Sequence, residues 1–185
     1  PGVSSPAQAG SVNWTFNLAN SRVQYLAAGE TVTATYRISL SDSSGTSSSS
    51  ISRDITVTVN GSNDTPVITA TDVSGAVTED VAVVADNPNT TTVEAGSYLS
   101  DSGSIQFTEI DATDLVSASI AIKSTSASSG VTLSAALSSA LAGAMRLSGA
   151  TTNAAQSGNV DWRFALDNSL VQELAAGETI TATYT

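Results

Sequence analysis

Residues 12–36 return almost unchanged at residues 160–184. VNWTFNLANSRVQYLAAGETVTATY becomes VDWRFALDNSLVQELAAGETITATY, with 18 of 25 positions identical. Trp14 and Trp162 set the period at 148 residues (162 − 14). Solenoid units repeat every 20–50 residues or so, so this period is that of a whole domain in a tandem array. The chain of 185 residues therefore holds one period and 37 residues more (185 − 148). It is expected to begin inside one domain, A, and to end inside the next, B. The boundary is expected in NGSNDTP at residues 60–66, giving A residues 1–63 and B residues 64–185. B is then expected to lack its last strands.

The local pattern is that of strands. Val12, Trp14, Phe16 and Leu18 alternate with polar residues, which predicts a half-buried strand with Trp14 and Trp162 as core residues of their domains. TVTATYRISL (31–40) and ITVTV (55–59) alternate in the same way. The polar run SDSSGTSSSS (41–50) between them reads as a hairpin connection. In B, residues 67–70, 76–78, 104–109 and 116–123 read as strands. One segment breaks the pattern. In LSAALSSALAGAMRL, Leu133, Leu137, Leu141 and Met145 recur every four residues, which lines one face of a helix. The fold class is therefore all-β, with one short helical insertion at about 133–147. Regularly spaced alternating strands favour a β-sandwich of the immunoglobulin type.

Composition excludes several functions. Six Lys and Arg stand against 17 Asp and Glu, for a net charge of −11. A nucleic-acid surface needs clustered basic residues, and an anionic membrane surface would repel this chain. No apolar run is long enough to insert into a membrane. The chain has no His and no Cys, which removes zinc chemistry, thiol nucleophiles and the usual general base. No enzymatic activity is expected. An acidic surplus suits divalent cations, which take carboxylate and carbonyl oxygens.

LAAGETVTATYRISLSDSSG, followed by TVTVNGSNDTPVI, resembles the VCBS-type, cadherin-like repeats of giant RTX-type bacterial surface adhesins. The resemblance spans nearly the whole chain and is densest at residues 14–66 and 162–184. Residues 81–98 depart from the pattern and read as an inserted loop. FTEIDATD (107–114) resembles the acidic motif near the start of such a repeat, with Glu109 where the family often carries Asp. The resemblance implies an extracellular extender on the bacterial cell surface, active in adhesion and biofilm formation, with Ca2+ between successive domains.

Carried onto this sequence, the resemblance places one calcium site at the A/B junction. Its expected ligands are Glu30 from AAGET of A, Asn63 and Asp64 from the linker, and Glu109, Asp111 and Asp114 from B. Glu109 and Asp111 are two apart and would share one face of a strand. A second, partial site is expected at the far end of B, from Glu79 in VTED and Glu178, the repeat equivalent of Glu30. The expected partners are neighbouring repeats of the same protein, or identical chains in a head-to-tail, strand-complemented fibre. A carbohydrate- or protein-binding module is the alternative. It would need an exposed aromatic platform or a pocket.

Overall fold

The computed structural model describes residues 10–42, 50–149 and 157–185. Its strands form three antiparallel groups, and the chain is mostly β with one α-helix, as the sequence led us to expect. In A, β1 (Thr31–Ser41) pairs with β2 (Ser50–Asn60) over eleven residues, from Thr31↔Asn60 to Ser41↔Ser50. The hairpin connection predicted between them lies largely outside the described residues. Side-chain pairs tie the exposed face of this hairpin: Thr33 with Thr58, Thr35 with Thr56, Ser39 with Ser52, and Arg37 with Asp54 at 2.8 Å.

B is built from six strands. A four-stranded sheet runs in the order β3 (Val67–Thr71), β4 (Tyr98–Thr108), β7 (Ser157–Asp167), β6 (Met145–Gly149). A second pair joins β5 (Ile122–Ala127) to β8 (Ile180–Tyr184). One core links them. Leu99 of β4, Leu166 of β7, Val171 and the helical Leu137 and Leu141 are buried together. Ile122 of β5 and Ile180 and Ala182 of β8 pack against that cluster. The helix, α1 (Ala135–Gly143), starts at Ser134, whose hydroxyl accepts from the Leu137 amide at 3.0 Å. It is shorter than the predicted 133–147. The chain leaves it after Gly143, and Met145 opens β6 opposite Phe164. Leu133, Leu137 and Leu141 still face one core.

The repeat is a repeat of conformation as well as of sequence. A 3-10 turn at Asn20–Arg22 recurs at Asn168–Leu170, 148 residues later. Gly29 and Gly177 both lie in the left-handed region, with φ of 87° and 88°. Each occupies the third position of an Ala-Ala-Gly-Glu turn, where a positive φ favours glycine. In each turn the Glu side chain accepts from the first Ala: Glu30 from the Ala27 amide at 3.0 Å, Glu178 from the Ala175 amide at 2.9 Å.

Two predicted strands do not form, and a third forms only at its end. Residues 12–18 of A are irregular, although their equivalents in B make up the centre of β7. The reason is the neighbours. β7 lies between β4 and β6, and Trp162 pairs with Gly103, where a Cβ would come within 2.6 Å of the indole. Among the described residues, A offers no such flanking strands. Trp14 is consequently 54% exposed, against 7% for Trp162, so Trp14 is not a core residue here. Residues 76–78 belong to a long connection from 72 to 97, in which Val84 forms an isolated bridge with Tyr98. This connection includes the stretch expected as an inserted loop. Asn89 holds it to the Ala144 carbonyl, and Pro88 accepts from Arg163. Residues 116–121 are also irregular, and pairing with β8 begins only near Ile122.

Candidate functional site at the domain junction

The end of A is closed by the Ala27–Glu30 turn. The Glu30 amide donates to the Ala27 carbonyl at 3.0 Å, and the Gly61 amide donates to the Glu30 carbonyl at 2.8 Å. Gly61 passes so close beneath the turn that a Cβ there would overlap the carbonyl oxygens of Ala27 and Leu26. Leu26 and Ala27 are both buried. The linker therefore leaves A pressed against this turn, with three residues before Asp64.

B meets the same place with residues 109–114. β4 ends at Thr108, so Glu109 and Asp111 lie just beyond the strand they were predicted to share. Their alternation persists: Glu109 and Asp111 are 4% and 2% exposed, while Ile110 between them faces outward. The Asp64 amide donates to Asp111 Oδ2 at 2.7 Å, and the Asp111 amide donates to Glu109 Oε1 at 3.0 Å. The Ala112 amide reaches into A and donates to the Tyr25 carbonyl at 3.0 Å. Residues 25–30, the linker and residues 109–114 thus converge through main-chain donors, with carbonyl and carboxylate acceptors.

Electrostatics mark the same convergence. The Asp114 carboxyl is pushed above its ordinary range, first by partial burial and then by the fields of Asp111, Glu109 and Glu30. The structure therefore brings Glu30, Glu109, Asp111 and Asp114 into one neighbourhood, with the Asp64 main chain bound to Asp111. Asn63 is turned aside, its amide donating to the Asp64 carbonyl at 2.8 Å. Asp111 Oδ1 is buried and has no hydrogen-bond partner. A buried carboxylate oxygen without a donor is costly, and a cation is one means of satisfying it. Yet among the described residues no three acidic side chains are set as a ready metal-holding group. Several donors are spent on amides instead. Glu30 in particular closes its own turn, as Glu178 does in B.

The second set is less gathered. Glu79 Oε2 is buried without a partner, while Glu178 accepts from the Ala175 amide in its own turn. Glu178 lies 3.9 Å from where a Cβ on Gly130 would stand. Beside Glu79, Asp80 adopts a left-handed φ of 58° and is clamped by Asn168. The Asn168 amide group donates to Asp80 Oδ1 at 2.6 Å, and its carbonyl accepts from the Asp80 amide at 3.1 Å. Gln172 adds a third bond at 3.1 Å. These hydrogen bonds, Asn168 first and Gln172 second, hold the Asp80 carboxyl below its ordinary range. Sequence reasoning did not single out Asp80, Asn168 or Gln172. The signal available was the recurrence of Asn20 and Gln24 as Asn168 and Gln172 in the repeat. No helix among the described residues is long and apolar enough to cross a membrane.

Comparison with known family models, with characterised proteins and with solved structures finds no match to this chain.

Proposed function

We propose that this chain is a structural extender from a bacterial cell-surface adhesin or filament, made of VCBS-type, cadherin-like repeats with immunoglobulin-like sandwich domains. Ca2+ at the A/B junction would join two domains into one stiff segment. The observation that carries this reading is Asp111. It is almost fully buried, it binds the linker at Asp64, and its second oxygen faces neither water nor a donor. Glu109, Asp114 and Glu30 surround it with further charge. Such a set of hard oxygens suits Ca2+ better than softer metals, which prefer nitrogen and sulfur. In this reading Asp111 and Asp114 are the principal ligands, Glu109 and Glu30 keep one oxygen each for the cation, and Asp64 adds its carboxylate. Asn63 contributes to linker shape. Glu79 and Glu178 would serve a separate partial site.

The exposed aromatics Trp14, Tyr25 and Tyr36 offer the platform that a carbohydrate-binding module would need. B argues against that use. Trp162, the counterpart of Trp14, is buried, and Tyr184, the counterpart of Tyr36, donates its hydroxyl to the Leu141 carbonyl at 2.7 Å. Where its flanking strands are present, the Trp14 position is therefore a core position.

Thermal melting with Ca2+, with Mg2+ and with chelator tests the proposal. At Ca2+ one hundred times its Kd, binding to the folded state alone stabilises by about 2.7 kcal/mol. A Ca2+-specific rise in Tm that is lost on Asp64→Ala with Asp111→Ala is the expected result. An unchanged Tm in Ca2+ would refute the calcium reading.

A further inference from the structure

Packing and chemistry make opposite demands at residue 61. Packing needs glycine there, because a Cβ would overlap the Leu26 and Ala27 carbonyls. The residue before it is Asn60, and glycine is the follower that leaves an asparagine most reactive. The main-chain nitrogen after an asparagine can attack the side-chain amide carbon. The chief steric brake on that attack is the side chain of the attacking residue, and glycine has none. Asn60 is the only asparagine of this chain followed by glycine. It is exposed, and among the described residues its side chain makes no hydrogen bond. Two features hold the reaction back. Asn60 is the last residue of β2, extended opposite Thr31. A five-membered ring between its Cγ and the next nitrogen closes only after its ψ rotates out of the extended region. The Gly61 amide also donates to the Glu30 carbonyl at 2.8 Å. The attacking nitrogen must shed that proton, and the bond keeps both on the turn. Glu30 is itself fixed there, because its carboxylate accepts from the Ala27 amide. Local opening of this turn therefore sets how often Asn60 is free to react, as it sets the hydrogen exchange of a main-chain amide.

We propose that Asn60–Gly61 is a modification site whose rate is set by release of Gly61 from the Glu30 carbonyl. The Gly61 nitrogen forms a bond to Asn60 Cγ, and the bond from Cγ to the side-chain nitrogen breaks. That nitrogen leaves as ammonia, taking up the proton that Gly61 gave up. Water then opens the succinimide at one of its two carbonyls, which leaves isoaspartate or aspartate. One water enters and one ammonia departs, and nothing is oxidised or reduced. Either product adds a negative charge close to Glu30, in a chain whose net charge is already −11. Isoaspartate also routes the main chain through the former side-chain carbon. The main chain gains one carbon just before Gly61, so the Gly61 amide loses its register with the Glu30 carbonyl. The products therefore accumulate as a covalent record of how often this turn has opened, and isoaspartate keeps it from closing as before. Ca2+ takes no part in these steps.

The test incubates the whole chain in chelator and mildly alkaline buffer, with and without urea. Peptide mapping by mass spectrometry reads conversion at Asn60 and at Asn168. Asn168 precedes Ser169 and is held by Asp80, so it is the internal reference. One hydrogen bond of ordinary net strength slows a reaction that must break it by about tenfold. Asn60 is therefore expected to convert at least about tenfold more slowly in buffer than in urea. Glu30→Ala removes the carboxylate that closes the turn. It is expected to speed conversion at Asn60 in buffer and to leave Asn168 unchanged. Glu30→Gln keeps an oxygen for the Ala27 amide and is expected to stay near the wild-type rate. No conversion at Asn60 in urea overturns the proposal, as do equal rates in buffer and urea. A Glu30→Ala chain that converts Asn60 at the wild-type rate overturns it. So does one that speeds Asn168 as much as Asn60, because unfolding of the whole chain would then set the rate. The calcium reading is tested by Tm without chelator, so the two can fail separately.

Discussion

Trp14 and Trp162 are the same residue of the same repeat in two environments, and replacing each by Ala should separate the environments. Trp162 is 7% exposed and Trp14 is 54% exposed, a difference of about 47% of the residue's surface. A tryptophan buries up to about 250 Å2, so Trp162 hides about 120 Å2 more. At about 25 cal/mol per Å2 this is worth about 3 kcal/mol. Trp162 also donates its indole N–H to the Asp72 carbonyl, which Ala would leave without that donor. Trp162→Ala is therefore expected to cost about 3–5 kcal/mol, in the range of large core truncations. Trp14→Ala is expected to cost less than about 1 kcal/mol. The assay is urea unfolding at a concentration where the chain is monomeric, with the remaining tryptophan as the fluorescent probe in each variant. A Trp14→Ala cost equal to that of Trp162→Ala would refute the assignment of A's segment as unpaired.

Three further outcomes are expected. Gly61→Ala should loosen the junction by about 1–3 kcal/mol, because a Cβ overlaps the Leu26 and Ala27 carbonyls; hydrogen exchange at the Gly61 and Ala112 amides would report it. Asp114→Asn should stabilise the cation-free protein at neutral pH, since burial and three neighbouring carboxylates raise the folded-state pKa of Asp114. For the same reason its contribution to wild-type stability should improve as pH falls through that raised pKa, down to the ordinary range, with no further change below; melting against pH in chelator measures this. Asn168→Ala should cost about 1–3 kcal/mol by removing both of its bonds to Asp80. It should also return the Asp80 carboxyl toward its ordinary value, because the Asn168 hydrogen bond is the first cause of its lowering; the stability that the lowered pKa contributes in the wild type is lost as pH falls through it, and a carbon-detected NMR titration of Asp80 reads the change.

The sequence was legible where structure is local. The helical spacing of Leu133, Leu137 and Leu141 and the alternation of β1 and β2 each depend on neighbours within a few residues. It was misleading where structure is borrowed. Residues 12–18 carry the pattern of a strand, but a strand is completed by its flanks, and β7 owes its form to Gly103 of β4 and Leu147 of β6 opposite Trp162. The acidic cluster was legible only in part. That Glu109, Asp111 and Asp114 would gather at the linker rested on the family resemblance and not on their spacing. That the Glu30 carboxylate also closes its own turn could be read from neither, because the bond depends on the φ of Gly29.

The doubled turn bears on how such a junction is assembled. Glu178 holds Ala175 in B with the same bonds that Glu30 makes to Ala27 in A. Yet only the A turn has a loop like 109–114 against it among the described residues. The turn is therefore shaped by its own Glu whether or not such a loop lies against it. What docking must order is small: Gly61 under the turn, Asp64 on Asp111, and Ala112 on Tyr25. A contact whose one half is already fixed loses less conformational entropy on forming. Few interactions then hold the junction, and among them Asp111 is the side chain that takes the linker. Asp111 accepts from the linker, its amide donates to Glu109, and its remaining oxygen is unpartnered. How firmly the linker is held therefore depends on what satisfies Asp111.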